Sequence, residues 1–230
     1  MKTLKFKKRF LQIGSIFMFL ALVSCSGGKK QDTQSDEKMS DKKETVAVVN
    51  NNGSSASMHK QHNSLADNFT HKDIVILDKV YEVNENTKAE LDEVIDAYIQ
   101  LKNAFVKDDE QATDKAAGLM AQKAAAIVPA KLEGKGLEAW KNHQALYVRK
   151  LKEMLHTKGF ENKRSYFSHL SEIMYCTIKS FGLKQGNLFA VFCPMAFDNK
   201  GAYWISDSKV IQNPYLGAKM PACGEIKEEL

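Results

Sequence analysis

Between residues 87 and 181 the apolar positions recur at three- and four-residue steps in four successive runs, each ended by a helix breaker or a polar turn. Leu91, Val94, Ile95, Tyr98, Leu101 and Phe105 form the first stripe. It follows Thr87-Lys88-Ala89-Glu90, which has the form of a capping box with Thr87 as N-cap. The second run, about Asp109 to Val128, is rich in alanine, turns Ala112, Ala116, Leu119, Met120, Ala124 and Ile127 inward, and stops at Pro129. Gly134 and Gly136 precede the third, whose stripe is Leu137, Trp140, Tyr147, Leu151 and Leu155, closed by Gly159. The fourth, about Glu161 to Phe181, carries Phe167, Leu170, Met174, Ile178 and Phe181 and ends at Gly182. Helices of similar length joined by short links predict a mainly α protein, an antiparallel four-helix bundle.

After Gly182 the period changes. Asn187 to Phe192 and Ala202 to Ser206 are β-forming, and Asp198-Asn199-Lys200-Gly201 between them has turn chemistry. This predicts a short C-terminal β-hairpin or loop tail, too small for a core of its own and therefore packed on the bundle. A short apolar run, Ile74-Val75-Ile76-Leu77, leads into the domain and is ambiguous in type.

The N-terminal third has a different character. Lys2, Lys5, Lys7, Lys8 and Arg9 precede a largely apolar stretch from Phe10 to Val23, which is too short to span a bilayer and fits a signal peptide. Leu22-Val23-Ser24-Cys25 follows. A branched apolar residue three before a cysteine and a small residue just before it resemble the lipobox of bacterial lipoproteins. Residues 1–24 are thus expected to be removed and Cys25 to carry lipid, each buried CH₂ adding about 0.8 kcal/mol of membrane affinity. From residue 25 to 73 the chain is dominated by small polar and charged residues and is read as a disordered tether. The folded domain is 74–230. Ser26 follows the lipid cysteine, which favours the outer membrane facing the periplasm, with the cell surface as the other placement.

This expectation changes the meaning of the charge. The net charge of +5 comes from 33 basic and 28 acidic residues. Removing the signal peptide takes five basic residues and no acidic ones, leaving 28 against 28. Nucleic-acid binding loses its electrostatic basis.

Candidate chemistry gathers in the tail. Cys193-Pro194-Met195 and Met220-Pro221-Ala222-Cys223-Gly224 each pair a thiol with a thioether at close spacing. Soft sulfur donors select Cu(I), Ag(I) or Zn(II). In an exported chain the same cysteines also suit a disulfide clamping the tail on itself, with Met195 and Met220 as core filler. Cys176 lies beside the fourth stripe and reads as a buried hydrophobe. His143 faces the core side of the third helix and His169 is less clearly inward; both are candidate further metal ligands, against the reading of hydrogen-bonded core histidines. Met58-His59 with His62 is a weak copper-type set in the tether. No nucleophile elbow, metalloprotease helix or phosphate-binding loop is present, so no enzyme is expected.

Phe192-Cys193-Pro194-Met195-Ala196-Phe197, then Asn199 to Ser206, Asn213-Pro214-Tyr215 with Gly217 and Met220, and Cys223-Gly224-Glu225 resemble the domain of unknown function 3347. The resemblance runs over about Asn84 to Leu230, with Pro221 a departure. Members occur as exported proteins or lipoproteins and fused to periplasmic adaptor subunits of heavy-metal efflux pumps. The resemblance therefore implies metal handling, of copper or silver type, with Cys193, Met195, Met220 and Cys223 as the positions concerned. An efflux-pump adaptor or another envelope protein is the implied partner. The leading expectation is a soft-metal binding protein accessory to efflux. The alternative is a structural or protein-interaction lipoprotein with a Cys193–Cys223 disulfide.

Overall fold

The computed structural model describes residues 64–230. The expected signal peptide, Cys25, most of the tether and the Met58, His59 and His62 set lie outside the described residues. Among the described residues no helix is long and apolar enough to cross a membrane.

Four long helices follow one another: α1 (Glu85–Val106), α2 (Glu110–Ala126), α3 (Gly134–His156) and α4 (Phe160–Phe181). Their side-chain pairings run in opposite directions along neighbours. Tyr98 and Phe105 of α1 stack on Phe167 and Phe160 of α4, and Trp140 and His143 of α3 meet Phe181 near the end of α4. The predicted antiparallel bundle is therefore the observed one. The predicted stripes are its core: Leu91, Ile95, Tyr98, Leu101, Phe105, Met120, Trp140, Tyr147, Leu151, Phe167 and Leu170 are fully buried. Gly182 caps α4 in the left-handed region, at φ +60°.

Two local expectations are corrected. The N-cap of α1 is Asn84, whose side chain accepts the Thr87 N–H at 2.9 Å, so the helix begins before the Thr87 box and Thr87 is buried inside it. Asparagine is at least as good an N-cap as threonine, and the earlier start adds nearly a turn. On α3, Met154 rather than Leu155 completes the buried stripe.

The domain also starts earlier than its composition implied. Residues 64–73, read as the end of the tether, lie against the bundle. Leu65–Asn68 forms a 3-10 turn, Phe69 is buried, and the Glu172 carboxylate accepts the backbone N–H groups of Thr70 and His71, both at 3.0 Å. Ile74 to Leu77 continues as an extended strap without a strand partner. Its backbone is satisfied by side chains instead: Asn142 Oδ1 accepts the Val75 N–H at 3.0 Å, and Ser180 Oγ the Leu77 N–H at 3.1 Å.

The tail forms a three-stranded antiparallel sheet, β1 (Phe189–Cys193), β2 (Ala202–Ser206) and β3 (Glu225–Glu229), in the order β2-β1-β3. The first two strands are the predicted hairpin. Its turn holds Phe197, Asp198 and Asn199 at φ +51°, +56° and +66° before Gly201 at +80°. Three successive non-glycine residues in the left-handed region are costly and need outside support. Phe197 gains it by packing on Tyr215. β3 is an addition to the sequence reading. It has one apolar residue among four charged ones, which suits an exposed edge and resists pairing with other chains. The sheet docks on the bundle through β2, where the Tyr98 hydroxyl accepts the Ile205 N–H at 3.0 Å and meets Ser171 Oγ at 2.7 Å. Arg164 of α4 ties the following loop down, donating to the Pro214 carbonyl at 2.9 Å while pairing with Asp108.

Candidate metal centre

Antiparallel pairing of β3 with β1 sets Phe192 opposite Glu225. Cys193 is one residue beyond Phe192 and Cys223 is two before Glu225, so the register carries the two cysteines to one place. Their sulfurs lie 2.8 Å apart as free thiols. Two tail segments separated by 29 intervening residues thus converge, which spacing alone left open.

Each cysteine is placed by identifiable neighbours. Cys193 closes β1, in register with Ala202, and is fully buried. Cys223 is only partly buried and follows a tight turn in which its N–H donates to the Met220 carbonyl at 3.2 Å. Asn213 holds that turn from inside. Its N–H donates to Pro221 O at 2.8 Å, its amide nitrogen donates to Cys223 O, and its Oδ1 accepts the N–H groups of Tyr215 and Leu216 at 2.7 and 2.9 Å. Gly224 lets the chain pass over Trp204, because a Cβ there would stand 2.6 Å from the indole ring. Asn213 and Trp204 are positioning residues, present in the sequence analysis only within the stretches that carry the family resemblance.

The methionines of the two segments are open to solvent. Met195 and Met220 are 46% and 43% exposed, on the segments that follow Cys193 and precede Cys223. The Cys193 sulfur alongside, and then burial, push the Cys223 thiol above its ordinary pKa, with the Met195 N–H opposing them.

The histidines named as further ligands do not join the thiols. Among the described residues no group of three His, Cys, Asp or Glu side chains is set to hold a metal ion. His143 lies inside the bundle, with Nε2 2.6 Å from the Val75 carbonyl and Nδ1 3.1 Å from Thr177 Oγ1. Burial lowers its pKa to about 4. His169 stacks on His71, ring centroids 3.5 Å apart, with Nε2 3.5 Å from Asp73 Oδ1. Burial and then the neighbouring His71 lower its pKa to about 4. Cys176 is the buried core thiol expected of it, raised to about 12 by burial and the Glu172 charge.

The geometry brings two thiols together, with an exposed methionine two residues after the first and another three residues before the second. With metal–sulfur bonds of about 2.3 Å, a tetrahedral ion holds its thiolates roughly 3.8 Å apart. The pair must therefore part by roughly 1 Å to admit one. The Met195 turn and the Cys223 turn are the elements that would yield.

By fold and site the protein is a four-helix bundle capped by a small sheet that carries a partly exposed dithiol. Residues 94–186 match the family model described as Protein of unknown function (DUF3347), and the chain contains a domain of that family. The matched stretch runs from within α1 through α4 and ends before β1, so the four sulfur residues lie C-terminal to it. No curated protein and no solved structure matches the chain.

Proposed function

We propose that this protein binds a soft metal ion of Cu(I) or Ag(I) type, without catalysis, as a buffer or donor accessory to heavy-metal efflux. The observation that carries this reading is the convergence of Cys193 and Cys223, each two or three residues from an exposed methionine. Exposed thioethers beside a thiol pair have little packing value there, yet they are suitable donors for an ion entering from solvent. A structural zinc site would call for four firm ligands, and among the described residues no imidazole or carboxylate joins these thiols in a group of three. The link of DUF3347 domains to efflux adaptors supports the same direction and supplies the kind of partner.

The N-terminal signals support attachment to the membrane through lipid on Cys25, in the outer membrane facing the periplasm, with the cell surface as the other placement. Thiolates beside that membrane would load when reduced and pass the ion by ligand exchange. Competitive titration of reduced protein with Cu(I), against a Cys193→Ser/Cys223→Ser double variant, tests the proposal. Loss of high-affinity binding in the variant is expected; equal affinity in both removes the tail from the account.

A further inference from the structure

Cys193 and Cys223 are neighbours of unequal access. Cys193 is sealed at the end of β1, whereas Cys223 is partly exposed between the half-exposed Met195 and Met220. Cys176, the third thiol among the described residues, is buried on α4. We propose that Cys193 and Cys223 form an ordered dithiol that exchanges with low-molecular-weight disulfides, Cys223 attacking first and Cys193 resolving. This inference rests on the arrangement of the thiols and not on metal binding.

In the first step the Cys223 thiol loses its proton to solvent and its sulfur attacks one sulfur of R–S–S–R. A Cys223–S–S–R bond forms, the R–S–S–R bond breaks, and the departing RS⁻ takes up a proton. In the second step Cys193 loses its proton and attacks the Cys223 sulfur. The Cys193–Cys223 bond forms and the second RS⁻ leaves and is protonated. The protein is oxidised by two electrons and the small disulfide is reduced to two thiols.

Access sets the order. An entering disulfide must approach in line with the attacking sulfur, which the buried Cys193 does not permit. Cys193 needs only to reach the adjacent sulfur, so the second step requires no further approach from solvent. Once closed, the pair has no thiolate to offer an ion, so bound ion and disulfide exclude one another.

The test uses the full chain, reduced and freed of metal by a chelator, treated with bis(2-hydroxyethyl) disulfide, quenched in acid and peptide-mapped by mass spectrometry. Wild type should proceed to a Cys193–Cys223 disulfide while Cys176 stays free. At early times the mixed disulfide should sit on Cys223. The Cys193→Ser variant should accumulate that mixed disulfide. In Cys223→Ser, Cys193 should react at least about ten-fold more slowly than Cys223 does in Cys193→Ser. Protection of Cys176 reports that each variant is folded, and the early-time wild-type map needs no variant. Early adducts on Cys193, or wild type that stops at the mixed disulfide, would overturn the proposal. The order holding in a protein that binds no Cu(I) would overturn the metal reading alone.

Discussion

Cys193 and Cys223 meet beside the sheet with, among the described residues, no carboxylate or imidazole completing a group around them, whereas His71 stacks on His169 of α4 and is held by Glu172. Glu172 accepts His71 Nδ1–H at 2.7 Å together with two backbone N–H groups, and Asp73 faces His169. Both pairs consist of residue types that bind metals. In the histidine pair His71 is spent on fastening residues 64–73 to α4, while His169 Nε2 is buried without a hydrogen-bond partner. In the cysteine pair the closest contact is each sulfur with the other, and the methionines two and three residues away in sequence are open to solvent. Availability for chemistry is thus set by access from solvent together with what already occupies a side chain, not by residue type or proximity.

The comparison breaks most sharply on metal affinity. Cys193→Ser/Cys223→Ser should weaken Cu(I) binding by about a thousand-fold, on the order of 4 kcal/mol. His71→Ala/His169→Ala should leave it unchanged in the same competition assay. The stability readout reverses the ranking. Glu172→Ala strips the partner from three N–H donors and should destabilise the fold by about 3 kcal/mol in urea unfolding, without altering the metal titration.

Protons probe the bundle side further. His143 titrates near 4 when folded against an ordinary value of 6.5. Below the ordinary value the unfolded chain binds the proton and the folded one does not. Stability is therefore complete above about pH 7, falls as pH drops towards 4, and levels off below it. The loss is about 3 kcal/mol from this one buried group. His169, depressed for the same first cause, adds in the same direction. Asp108 and Asp207 are held below the usual carboxylate range, so their contribution is lost at lower pH still. Urea midpoints at pH 7.5 and 4.5 for wild type and His143→Gln should show the variant with the shallower slope.

On the sheet side, Gly224→Ala drives a methyl into Trp204 and should cost about 1–3 kcal/mol, read as altered indole fluorescence together with a lower urea midpoint. The smallest effect belongs to the rim. Met195→Leu/Met220→Leu should weaken Cu(I) by roughly ten-fold or less and leave unfolding unchanged, because both side chains are half exposed.

The bundle was legible because its signals are local. Stripes at helical spacing, Pro129 and Gly182 announce helices and stops within a few residues of where they act. The β1–β2 hairpin was legible for the same reason, through Asp198 to Gly201. β3 was not, since its inward positions are Ile226 and the charged Glu228, so Glu225-Ile226-Lys227-Glu228-Glu229 carries almost no apolar alternation. That strand sets the register bringing Cys223 to Cys193, so the sulfur residues were readable from sequence while their meeting was not. His71 was overlooked because it lies in a stretch whose composition resembles a tether. Its anchor, Glu172, is 101 residues away. Asn213 looked like an ordinary turn former, and its hold on the Cys223 loop depends on contacts no short window contains.

X-ray absorption at the copper edge, on reduced protein loaded with one equivalent of Cu(I), reads the ligands of the ion themselves. A first shell of sulfur only is expected, two short thiolate bonds with longer thioether contacts, lost in the Cys193→Ser/Cys223→Ser variant. A shell containing imidazole nitrogen, or one unchanged in the variant, would contradict the sulfur-only site.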